Sequence, residues 1–276
     1  MDFMLTFILP WLMTFVIVLT YSMLMFLVSR KLKRYATLDT FWGLSFVGLH
    51  FFYLLYSGLV LGQIPWIGVA SFVLVGIWGF RLFFHILKRS RGHGEDARYQ
   101  VMKDRILEPK KVLKEFVIIF LTQAGIIFLI SSTLYANVFW QATRPLNPII
   151  LLGMFIWWLG YQLEKAADQE LQVFLSNPQN KGQLLTTGVW SWSRHPNYFG
   201  DSLMWWGLAC MGFDPAQPWT WLVWIGPVVM TLVLYFVSGV PLSEQSMKKK
   251  PGFASYARRT SIWFPWFPNP KSRKDY

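Results

Sequence analysis

The chain has 276 residues, of which 54% are hydrophobic, 18% aromatic and only 14% charged. That much apolar surface cannot be hidden inside one soluble domain, so a soluble globular class is excluded and a membrane protein is expected. The net charge of +12 then belongs to surfaces facing anionic lipid or an anionic cofactor, and it is no argument for nucleic acid.

Taken in chain order, apolar runs lie at 4–28, 41–61, 66–87, 116–136, 148–162, 199–213 and 219–240. They predict an all-α, polytopic bundle of about seven transmembrane helices forming a single membrane domain. The first run is long enough to cross with some tilt. No Lys or Arg precedes it and it exceeds an h-region, so it does not read as a cleaved signal peptide. Arg30, Lys31, Lys33 and Arg34 come directly after it. The fifth and sixth runs are short, and the fifth is expected to continue as a helix beyond the bilayer.

With the N-terminus outside, 24 of the 26 Lys and Arg fall on one side of the membrane. Arg144 lies in an outer loop and Arg81 inside the third span. The positive-inside bias therefore predicts an outside N-terminus and a cytoplasmic C-terminus. Acids show the same asymmetry: only Asp2 and Asp214 fall outside. Cys210 is the sole cysteine, and His50, His85, His93 and His195 show no ligand spacing, so no metal site is expected.

Polar chemistry is thus concentrated at one face. The loop "KRSRGHGEDARY" (88–99) fits G-x-G-x-x-A, yet it comes after a membrane helix instead of a strand. Its Glu95 and Asp96 would also repel a pyrophosphate, so it is not read as a dinucleotide fingerprint. In the next segment Tyr161, Glu164, Asp168 and Leu171 share one helix face. Two carboxylates at i, i+4 repel by about 0.2–0.5 kcal/mol. Either water solvates them, or donors such as Arg194, ribose hydroxyls or an amide nitrogen occupy the space between.

The stretch "SWSRHPNYFGD" (191–201) opens the sixth run with Arg194, His195, Pro196, Asn197, Tyr198 and Asp201. Pro196 suits a first helical turn. Free N–H groups and the helix dipole then favour an anion there. Beyond the last span come Glu244, the run Lys248–Lys249–Lys250, Tyr256, Arg258 and Arg259. The aromatics Trp263, Phe264, Trp266 and Phe267 are expected in the interface.

"DTFWG" (39–43), "WGFRL" (78–82), "GEDARY" (94–99), "EKAADQELQVF" (164–174), "TTGVWSWSRHPNYFGD" (186–201), "SGVPLSE" (238–244) and "YARRTSIWFPWFP" (256–268) carry a family likeness. In these the chain resembles the steroid 5-alpha-reductase-like membrane proteins, nearest their bacterial branch long labelled a domain of unknown function. That superfamily also holds sterol reductases and isoprenylcysteine carboxyl methyltransferases.

The resemblance implies NADPH at the cytoplasmic ends of the C-terminal spans (113–276) and an apolar lipid or steroid-like substrate among the N-terminal spans (1–112). It also implies a bacterial inner membrane location. Cofactor-binding residues carried over or grouped with them are Glu164, Asp168, Arg194, His195, Asn197, Tyr198, Asp201, Glu244, Tyr256 and Arg259.

The chain departs from the family where animal 5-alpha-reductases place a proton-donating Tyr three residues before the arginine matched by Arg81. Trp78 stands there, and an indole N–H is not a labile acid. Asp39, Arg81 and His85 are the catalytic candidates, with His50 and Tyr53 as further replacements. The expected function is NADPH-dependent reduction of a carbon–carbon double bond. The alternative is an S-adenosylmethionine-dependent methyltransferase, whose relatives carry a paired Glu-Glu where this chain has Glu244-Gln245. Nothing in the sequence sets the oligomeric state.

Overall fold

A computed structural model describes residues 3–90, 111–140 and 145–268; the 91–110 part of the basic loop lies outside them. Helix α1 (Leu9–Leu32) continues from a π-helical turn at Met4–Ile8. Helices α2 (Thr37–Val60) and α3 (Trp66–Ser90) come next. A short α4 (Lys111–Glu115) runs through a π turn, Phe116–Leu121, into α5 (Thr122–Phe139). Helices α6 (Pro148–Ser176) and α7 (Pro196–Gly212) are next in order. The last long segment changes pitch along its length, from a 3-10 stretch (Pro218–Trp224) to α8 (Ile225–Leu232), a π turn (Val233–Val237) and α9 (Val240–Met247). Helix α10 (Phe253–Arg259) closes the order. Among the described residues, extended pairing is confined to one parallel bridge, Ser193 with Ser261. The all-α expectation holds.

Among the described residues, five segments are long and apolar enough to cross a membrane: Met4–Leu32, Thr37–Val60, Trp66–Ser90, Val112–Phe139 and Pro218–Met247. The protein is an integral membrane protein, and its spanning helices present apolar side chains outward. Val16, Leu59, Val73 and Phe84 each expose more than half their surface, as lipid-facing residues do and core residues do not.

The two further expected spans differ for separate reasons. Helix α6 has 29 residues, but Glu164, Lys165, Asp168 and Glu170 dilute its apolar character. Helix α7 has 17 residues, about 26 Å at 1.5 Å per residue, against about 30 Å of hydrocarbon.

The chain forms two compact units. One comprises Met1–Asn147 with Met211–Gly226 and the other Pro148–Cys210 with Pro227–Tyr276. In the first unit, Phe26, Tyr35, Leu38 and Phe120 pack as a buried cluster. A Cβ on Gly43 would lie 2.9 Å from the Gly79 carbonyl, so α2 and α3 touch backbone to backbone.

Two buried tyrosines of this unit find hydrogen-bond partners inside it, as a lipid-embedded segment favours. The Tyr53 hydroxyl lies 3.1 Å from Thr14 Oγ1 and 3.3 Å from Ser131 Oγ. Tyr135 donates to the Phe7 carbonyl at 2.8 Å. Helix α1 stops at Lys33, whose left-handed φ of 54° turns its N–H back onto the Arg30 and Ser29 carbonyls.

Candidate cofactor site in the second unit

The second unit is organised by glycines. Gly153 and Gly160 on α6, and Gly200 and Gly207 on α7, are each seven residues apart, close to two turns. A Cβ on Gly160 would fall 2.6 Å from the Gly200 carbonyl, one on Gly200 2.7 Å from the Glu164 amide nitrogen, and one on Gly207 2.5 Å from the Trp157 nitrogen. The helices therefore run antiparallel in direct backbone contact. This register sets Glu164 level with Gly200 and Asp201, and Asp168 level with Pro196 and Asn197.

Glu164 is 4% exposed and Asp168 9%, so bulk water does not solvate either acid. Asn197 and Asp201 are half-buried. The Asn197 Oδ1 is itself buried and accepts no hydrogen bond among the described residues. Tyr161 stacks on Trp157 with centroids 5.2 Å apart.

Next to this crossing, Arg194 and His195 converge on one carboxylate. Arg194 Nε donates to Glu244 Oε1 at 2.8 Å and its Nη2 to Oε2 at 3.5 Å. Its Nη1 donates to the Ala257 and Thr260 carbonyls, each at 3.0 Å. The Arg194 backbone N–H donates to the Ser261 carbonyl at 2.8 Å.

His195 Nε2 lies 3.1 Å from Glu244 Oε1, and an ionised carboxylate makes that nitrogen the donor. Burial holds the His195 pKa below its ordinary 6.5. The Glu244 hydrogen bond and charge oppose that shift, and the Arg194 charge adds to it. His195 also stacks on Tyr198, centroids 5.6 Å apart, and the Tyr198 hydroxyl meets Ser243 Oγ at 3.1 Å. The start of α7 is thereby fastened to α9 and α10.

Tyr256 donates to the Trp190 carbonyl at 2.6 Å, and Trp190 Nε1 donates to the Ala167 carbonyl at 3.1 Å. Burial pushes the Tyr256 phenol above its ordinary value. Glu170 accepts the Val189 N–H at 3.1 Å, and partial burial raises its carboxyl pKa while that bond opposes the rise.

The second unit thus gathers Arg194, His195 and Glu244 in one network and sets Glu164, Asp168, Asn197 and Asp201 at one helix crossing. Arg259 is half-buried on α10, while Lys181, Lys248, Lys249 and Arg258 are exposed. Lys250 donates to the Gln183 carbonyl at 3.0 Å, tying the cationic stretch after α9 to the loop after α6. The catalytic candidates Asp39, Arg81 and His85 lie in the first unit and are each half-buried. His50 is buried there with Nε2 3.3 Å from Ser71 Oγ, and Trp78 packs 6.1 Å from the Phe46 ring.

Sequence reading passed over Ser193, Ser243, Trp190 and the glycine register. Ser193 Oγ accepts the His195 N–H at 3.1 Å and donates to the Trp263 carbonyl at 2.8 Å. The two glycine pairs at seven-residue spacing were the available signal for the helix crossing.

The family described as proteins of unknown function (DUF1295) matches residues 25–260. The chain belongs to this family. It is 24% identical over 214 residues to an uncharacterized protein of Schizosaccharomyces pombe, covering 68% of this chain and 60% of that one. It is 34% identical over 92 residues to the probable O-methyltransferase ustE of Ustilaginoidea virens, covering 33% and 32%. It is 30% identical over 112 residues to the Delta(14)-sterol reductase LBR of Gallus gallus, covering 35% and 16%. The matches span under two thirds of each relative's own length. No solved structure matches the chain.

The DUF1295 match takes in both the α6–α7 crossing and the Arg194–Glu244 network. Its distant relatives include enzymes of two chemistries. At the crossing, buried carboxylates and an amide oxygen offer hydrogen-bond acceptors to hydroxyl or amine donors.

Proposed function

We propose that this DUF1295 protein is an NADPH-dependent reductase of a carbon–carbon double bond in an apolar lipid or steroid-like substrate. In this reading it is a seven-span protein of a bacterial inner membrane, with the N-terminus outside and the C-terminus in the cytoplasm. The observation that carries the reading is the α6–α7 crossing, where Asn197 holds a buried, unsatisfied amide oxygen level with the buried Asp168.

Glu164, Asp168, Asn197 and Asp201 would hold the nucleoside. The cations Lys181, Arg258 and Arg259 would face its phosphates. When bound, the cofactor supplies hydride; the protein supplies orientation and a dry surround. Arg194 contributes by locking α7 in place through Glu244. The likeness to a sterol reductase supports the same chemistry.

A second reading rests on a specific observation. Glu244 and two carbonyls engage the Arg194 guanidinium, which removes one cation from phosphate binding. An acid-rich crossing also suits the ammonium and sulfonium of S-adenosylmethionine, and one relative is a probable O-methyltransferase.

Calorimetric titration of the detergent-purified protein separates the two. The proposal expects NADPH to bind more tightly than NADH, and both more tightly than S-adenosylmethionine. Saturable S-adenosylmethionine binding with no response to NADPH replaces the reductase by the methyltransferase. Tags on the two termini should report opposite compartments; a shared compartment refutes the odd number of spans.

A further inference from the structure

A cavity of about 200 Å³ opens between α1, α2 and α5 in the first unit. Its walls are almost wholly apolar and include Ile17, Tyr21, Leu44, Ser45, Gly48 and Ile127. Two features separate it from a packing fault.

The Tyr21 hydroxyl is buried and makes no hydrogen bond among the described residues, although a buried phenol ordinarily finds a partner. Ser45 Oγ donates to the Trp42 carbonyl at 2.6 Å, which leaves its lone pairs open to a donor.

Gly48 sits inside helix α2, where glycine is a poor helix former. Close packing does not call for it. A Cβ there would meet no atom within 4 Å, unlike one on Gly43 in the same helix. The missing side chain at 48 leaves room in the cavity. That absence is useful only if something else fills the space, because protein interiors are close-packed.

We infer that this cavity is a binding site for an apolar molecule carrying one hydroxyl or carbonyl oxygen, with Tyr21 as its hydrogen-bonding anchor and Gly48 as the residue that makes room for it. Drug-sized ligands occupy about 300–1,000 Å³. The cavity therefore holds the oxygen-bearing end of a longer lipid, and the remainder extends outward past exposed apolar residues of α1 and α2. Water is a poor tenant, since it needs two to four polar partners and the walls offer Tyr21 and Ser45 alone among the named lining residues. The inference rests on the proposed reading of an apolar lipid substrate and adds its place and its anchor; labelling needs no cofactor, so its failure is distinct from a failure of NADPH to bind.

The test uses the full chain in phosphatidylcholine nanodiscs with two photoreactive probes of equal length. One is a diazirine-bearing fatty alcohol and the other the matching alkane, with crosslinks mapped by mass spectrometry. The expected result is labelling of residues 17–21 and 44–49, stronger for the alcohol.

Gly48→Leu fills the cavity and should remove at least about nine-tenths of that labelling. Gly48→Ala, the milder change, should reduce it in part, and an unaltered thermal midpoint in either variant shows the fold is kept. Tyr21→Phe keeps the ring and should erase the preference for the alcohol, about 3- to 10-fold for one neutral hydrogen bond. Equal labelling by both probes in the unmodified protein overturns the inference. So does labelling that maps elsewhere, or that persists in a folded Gly48→Leu variant.

Discussion

Arg194 and Glu244 stand fifty residues apart in the chain and meet through two hydrogen bonds, with the shorter, Nε to Oε1, at 2.8 Å. Both residues are nearly buried, at 9% and 7% exposure. Their pairing brings the first turn of α7 onto α9.

Removing one partner leaves the other charged and desolvated. Glu244→Ala or Arg194→Ala should therefore destabilise the protein by about 3–5 kcal/mol. The double replacement Arg194→Ala with Glu244→Ala should cost clearly less than the sum of the two single changes. Thermal denaturation of the four proteins in one detergent measures this. Additive losses would show that the two side chains act independently.

His195 sets a pH dependence. Its pKa is held below the ordinary 6.5, first by burial. The unfolded chain therefore binds a proton that the folded protein resists, and stability rises with pH in that interval. The stability is present above pH 6.5 and is lost as pH falls from there toward the folded pKa. A thermal midpoint recorded between pH 7.5 and 5 should decline at the acid end. His195→Gln, which cannot take up the proton, should flatten the decline.

Gly200 leaves no space for a side chain. A Cβ would press within 2.7 Å of the Glu164 nitrogen and the Gly160 carbonyl, both backbone atoms. Gly200→Ala should cost about 1–3 kcal/mol, the usual range for overpacking. Gly182 makes the contrast, because a Cβ there meets no atom within 4 Å. Its φ of +81° makes Gly182→Ala a test of backbone strain alone.

The orphaned Asn197 oxygen separates a binding role from a structural one. Asn197→Ala removes an acceptor with no partner among the described residues, so the empty protein should lose little stability. If the proposed cofactor binds there, its affinity should fall by about 0.5–1.5 kcal/mol, the worth of one hydrogen bond. The shift in thermal midpoint at saturating NADPH, with and without the substitution, reads this directly.

Much of the fold was legible because a bilayer imposes a one-dimensional rule. The runs 41–61, 66–87 and 116–136 correspond to Thr37–Val60, Trp66–Ser90 and Val112–Phe139, each an apolar stretch of spanning length. Helix α6 was harder to read because its first half is apolar and its second half carries charge. The shared face of Glu164 and Asp168 came from helical spacing, but their burial depends on α7, about 30 residues further along the chain. Arg194 read as a cation at a helix start. Its partner is a carboxylate fifty residues further on, and no local pattern marks which acid a cation will find.

The π turn at Val233–Val237 is the length of chain that one inserted residue leaves in a helix. Ser238 N–H bonds to the Val233 carbonyl at 2.9 Å across that wider loop. Excising one residue there would restore ordinary α pitch to the turn and, through Ser238 and Gly239, shift the position of α9. Glu244, only a few positions downstream, would swing away from Arg194. The phase of that turn thus acts as a spacer between membrane and network: shortening it by one residue should uncouple α7 from the C-terminal segment without altering any residue of the network itself.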